Sequence, residues 1–114
     1  MGTTEDRVQA EAELSKAIEG ILGSSAQQTN PNSPHAKLGC TLIVVLPDEV
    51  KNGFPSKEAR DEFQEKINKL KELHDEIAKK YELTVIGEGP CLAAGGILVF
   101  YVGFETEYAK SLRG

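Results

Sequence analysis

Very few residues in this chain are equipped for covalent or metal chemistry. Cys40 and Cys91 are its only thiols, and His35 and His74 its only imidazoles. A nucleophilic thiol needs a lowered pKa and a base within hydrogen-bond reach, so the weak catalytic candidates are Cys91 with His74, or Cys91 with His35. His35 follows Pro34 in a polar stretch, where an imidazole is usually solvated. His74 interrupts the apolar seam of a long helix, a place where a ring lies on apolar neighbours with one nitrogen on water or a carbonyl. A sharper reading turns His74 toward Cys91 or a bound anion, or makes it a pH-sensitive contact at a helix-to-helix seam.

Metal chemistry has less support. The four residues are far apart in sequence, with neither CxxC nor HxxxH spacing, so no metal and no cofactor is expected. Two cysteines are too few for a disulfide framework and read as thiols packed like small hydrophobes. Glu72 and Glu76 are spaced i, i+4, but they stand among lysines and make no defensible acid–base pair.

The stretch GEGPCLAAGG, residues 87–96, asks whether its glycines approach a ligand or turn one strand into the next. A phosphate cradle places free N–H groups at the start of a helix, whereas these glycines lead into a strand. Neither G-x-x-x-x-G-K-[ST] nor a strand-to-helix G-x-G-x-x-G is present. Hairpin chemistry is the primary reading, and Gly87, Gly89, Cys91, Ala94, Gly95 and Gly96 are the candidate ligand-binding residues.

Composition narrows the partners. At 114 residues one domain is expected, and a formal charge of −5 with a pI near 5.0 repels phosphate backbones. No direct nucleic-acid contact and no membrane span are expected, and the acidic start lacks a signal-peptide pattern, which reads as cytoplasmic. Asp6 departs from the myristoylation pattern.

These residues need elements to position them. Residues 1–22 read as an N-terminal helix with Thr3 or Thr4 as cap and its apolar residues gathered toward its end. Residues 23–37 carry two prolines among Ser, Asn and Gln and read as a polar loop or linker. A compact unit follows over 38–104, and 105–114 reads as a short helical turn or tail. In the compact unit, residues 37–47 suggest a strand with both faces apolar, and Ser56 would cap a helix from Lys57 to about Tyr81. On that helix Ala59, Phe63, Ile67, Leu70, His74, Ile77 and Tyr81 form a seam, flanked by acid-first i, i+4 pairs such as Glu62 with Lys66 and Glu76 with Lys80, each worth about 0.2–0.5 kcal/mol. A short strand over 83–86, a bulge or bend, a turn near Ala94–Gly96 and a strong strand over 97–104 complete the order α-β-α-β-β.

The expected fold class is α/β (α+β): a three-stranded mixed sheet with the long helix on one face. The strand–helix–strand unit predicts parallel strands, with the last strand antiparallel at an edge or between them. The N-terminal helix is expected to cover the sheet or meet a partner subunit. An apolar sheet on both faces suggests a homo-oligomer whose interface draws on Phe63, Ile67, Leu70, His74, Ile77, Phe100, Val102 and Phe104.

The functional expectation is a non-enzymatic, homo-oligomeric binding or assembly protein, with a small-molecule or peptide site near Gly87–Gly96 at a subunit interface. One alternative is an acidic inhibitor or adaptor that binds another protein through Asp48, Glu49, Asp61, Glu62, Glu65, Glu72 and Glu76, although interleaved lysines argue against a nucleic-acid mimic. A further alternative is a thiol-dependent enzyme using Cys91.

Overall fold

The computed structural model describes residues 4–23 and 26–112. Helix α1 spans Thr4–Leu22, strand β1 Gln27–Gln28, helix α2 Pro34–Leu38, strand β2 Leu42–Val45, helix α3 Asp48–Asn52, helix α4 Lys57–Lys80, strand β3 Val85–Leu92, strand β4 Leu98–Phe104 and helix α5 Glu107–Leu112. Thr3, one of the two expected caps of α1, lies outside the described residues, as do residues 113 and 114 of the tail.

The fold is a small α+β arrangement built on a four-stranded sheet in the order β1-β2-β4-β3, with every neighbouring pair antiparallel. This corrects the expected three-stranded mixed sheet in two ways. First, β4 inserts between β2 and β3, so those two strands run parallel to each other but never pair. Second, the polar stretch 23–37 contributes strand β1 and most of α2. Gln27 and Gln28 pair with Ile43 and Leu42, and Thr29 extends the join by donating its amide to the Thr41 carbonyl at 2.9 Å and its hydroxyl to the Cys40 carbonyl at 2.8 Å. Two glutamines carry no alternation of polarity, so period-2 patterning could not reveal this strand.

Helix α4 forms where local signals agree. Ser56 Oγ accepts from the Ala59 amide at 3.1 Å, and Ile67, Leu70, His74, Ile77 and Ala78 make the buried stripe. None of the i, i+4 pairs expected on its outer face closes among the described residues. Exposed ion pairs gain little over hydration, and Lys80 instead crosses to Glu13 of α1 at 3.2 Å, where Tyr81 also donates its hydroxyl.

Both long helices lie on one face of the sheet. Ala10, Leu14 and Ile18 of α1 join Leu70, Ile77 and Ala78 of α4 above Leu42, Val44 and Phe104. α1 therefore packs within the chain, beside α4. The opposite face carries Ile43, Val45, Val99 and Tyr101 and is only partly covered by short elements. Close to the end of β4 the chain crosses itself so tightly that a Cβ at Gly103 would collide with the carbonyl oxygen of Gly39. Helix α5 is tied back there by Thr106, whose hydroxyl donates to the Lys37 carbonyl at 2.6 Å and accepts from the Ala109 amide.

Candidate functional site

α1 and α4 fill the helix layer over β2 and β4, and on the far side of α4 the sheet continues into β3. Register places Val85 opposite Phe104 and Gly87 opposite Val102, so these β3 positions face the helices. Glycine brings no side chain to that face. The result is a groove of about 410 Å³ between α4 and the sheet, walled by Ile67, Leu70 and His74 on the helix side and by Val85, Phe100 and Val102 on the sheet side. Gly87 and Gly89 also line it, and Lys71 and Asp75 bring charge to it. Its walls are mostly apolar with a few polar groups, the usual character of a ligand site.

His74 is fixed at the groove's inner wall. Its Nε2–H donates to the Gly103 carbonyl at 2.7 Å, and its ring stands edge-on to Phe104 with centroids 5.0 Å apart. Burial holds its pKa below the ordinary value, with the Gly103 hydrogen bond opposing that shift. The ring is therefore neutral near pH 7 and acts as a packed, hydrogen-bonded wall residue.

Cys91 pairs with Val99, which places it on the sheet face away from α4 and His74. No hydrogen bond joins Cys91 to either imidazole among the described residues. Cys40 is buried, and its thiol is pushed up to about 11 by burial first and then by Glu88 and Cys91 nearby. Such a thiol is protonated and a poor nucleophile at neutral pH. Among the described residues no group of three or more His, Cys, Asp or Glu is arranged to hold a metal ion.

The outer face holds a cluster that sequence reading missed. His35 of α2 stacks on Tyr101 with ring centroids 4.1 Å apart and planes within 7°, and its Nδ1 donates to Glu88 Oε2 at 2.6 Å. This ties α2 across β4 to β3. Pro34 beside His35 suggested only a loop, and no local signal connects residues 53 positions apart.

The six glycine-stretch candidates divide. Gly87 and Gly89 line the groove, whereas Ala94, Gly95 and Gly96 form a 3-10 turn between β3 and β4, with positive φ at both glycines. Of the residues read as an oligomer interface, Ile67, Leu70, His74, Ile77 and Phe104 are buried inside the chain itself. Phe100 and Val102 are half-buried on the sheet, and Phe63 packs on Phe54 at 5.5 Å. The acids considered for partner binding, from Asp48 to Glu76, are exposed on α3 and α4 with lysines between them. No helix among the described residues is long and apolar enough to cross a membrane.

Comparison with known proteins does not supply a family. No protein-family model matches the chain, and neither a curated protein nor a solved structure matches it.

Proposed function

We propose that the chain is a non-enzymatic binding protein that takes an apolar ligand in the groove between α4 and β3. The observation that carries the reading is the pairing of an apolar helix wall with Gly87, a position that leaves the facing sheet bare. A Cβ at Gly87 would meet only ordinary contacts, 3.5 Å from the Tyr101 carbonyl and 3.9 Å from Val102. The fold therefore does not require glycine there, and a role in keeping the groove open accounts for it. The small-molecule or peptide site expected near Gly87–Gly96 is thus narrowed to its first three residues and to the helix facing them.

A neutral apolar fluorophore, N-phenyl-1-naphthylamine, tests the reading. Its emission is expected to rise saturably with the native chain and to need about tenfold more Gly87→Val protein for the same signal, since the new side chain fills the groove. Equal binding by both proteins, each with native circular dichroism, would sink the proposal.

A second reading, homo-oligomeric assembly, draws on a different feature. Val45, Leu92 and Ile97 are 39%, 67% and 47% exposed at the same end of the sheet. Sedimentation velocity is expected to show a species larger than 12.4 kDa that Leu92→Lys with Ile97→Lys dissociates. A native chain that sediments as a monomer at all concentrations removes this reading.

A further inference from the structure

We infer that the groove's occupant is an extended peptide that adds to β3 as a fifth strand, with apolar side chains at alternate positions and a basic residue beside them. The inference rests on the groove reading and names the ligand class.

Among the described residues β3 ends the sheet order, so one side of its backbone faces none of the described strands. The Glu105 amide donates to the Thr84 carbonyl at 2.8 Å, which sets the phase of the β3–β4 ladder. In an antiparallel ladder hydrogen-bonded and non-hydrogen-bonded pairs alternate. Val85 opposite Phe104 and Gly87 opposite Val102 therefore belong to the non-hydrogen-bonded set. Their N–H and C=O groups point outward, away from β4. These two residues also line the groove. A strand bonded to them sends the side chains opposite Val85 and Gly87 onto the same face, under α4, because directly paired residues share a face.

Two features limit the partner. The register shift between Glu88 and Cys91, with Pro90 lacking an amide hydrogen, ends regular pairing after Glu88, so the added strand is short. The chain's net charge of −5 favours a cationic flank on the peptide.

The probe is acetyl-Lys-Val-Thr-Val-Lys-amide, compared with a twin N-methylated on both valines, each titrated into the native chain by NMR. The first peptide is expected to slow amide exchange at Val85 and Gly87 about tenfold, shift the Ile67 and Leu70 methyls, and bind about tenfold more tightly than its twin. Gly87→Val, with native circular dichroism, is expected to lose the same binding. If both peptides move the methyls equally and the β3 amides stay unprotected, strand addition is overturned and the groove reading stands. If neither peptide moves the methyls but N-phenyl-1-naphthylamine does, the peptide class is overturned alone. If none of the three probes moves them, both readings fail. Val85 and Gly87 amides already protected without peptide, in a species of doubled mass, would make a second copy the occupant and overturn the inference.

Discussion

The two flanks of the helix layer differ in what lies beneath them. On the β2 side, Leu14 and Ile18 descend from α1 onto Leu42 and Val44, and all four are at most 3% exposed. On the β3 side, α4 faces a strand whose helix-side position is Gly87, and a groove of about 410 Å³ remains. The same sheet, under the same pair of helices, is a closed core at one edge and open at the other. The difference lies in side-chain volume and in where α1 ends its cover, since protein interiors tolerate few voids larger than a water molecule unless something else fills them. The filled flank carries stability, and the open flank leaves the groove proposed as the ligand site.

The comparison can be broken most forcefully on its filled flank. Leu14→Ala is expected to cost about 2–5 kcal/mol, read as a lower urea midpoint at unchanged slope. A loss below that range would mean that α1 is a loose cover. Gly103→Ala places a methyl against the Gly39 carbonyl and is expected to cost about 1–3 kcal/mol or more by the same measurement. Gly87→Val, by contrast, is expected to leave the urea midpoint within about 0.5 kcal/mol of native, because the position is open and valine suits a strand. Two glycines of equal appearance in the sequence thus separate into one required by packing and one by vacancy.

His74 stands where the flanks meet and sharpens the comparison through pH. Its folded pKa is held below the ordinary 6.5, so the unfolded chain takes up a proton at a pH where the folded chain does not. The stability this confers is complete above about pH 6.5 and is lost as pH falls through the folded value. Urea midpoints are expected to fall on acidification through that window, and His74→Gln is expected to flatten that part of the profile. An unchanged slope in the variant would assign the acid sensitivity elsewhere.

Legibility in the sequence followed the range of the interactions. Ser56 as cap, the seam from Ile67 to Ile77, the turn at Ala94–Gly96 and the irregularity around Gly89 were all readable, because each depends on neighbours a few residues away. The sheet was only partly readable. Hydrophobic runs marked β2 and β4, but the antiparallel insertion of β4 beside β2 depends on pairing across more than fifty residues, and β1 has no apolar pattern at all. The candidate site divided in the same way. Gly87 and Gly89 stood out by type, whereas Glu88 received its partner only through a contact with His35 from a stretch that looked like linker.

The sequence by itself therefore determined that this chain is a small acidic α+β protein with a strongly amphipathic central helix and a glycine-marked hairpin. Those properties follow from composition, capping and periodicity, which act locally. Only the tertiary structure decided that both long helices share one sheet face, that His74 bonds a carbonyl with Cys91 on the opposite face, and that an apolar groove lies beside β3, the last strand in the sheet order of the described residues. Each of these is a relation between distant segments, established when packing selects one register and one layer order from the several that the same local patterns permit.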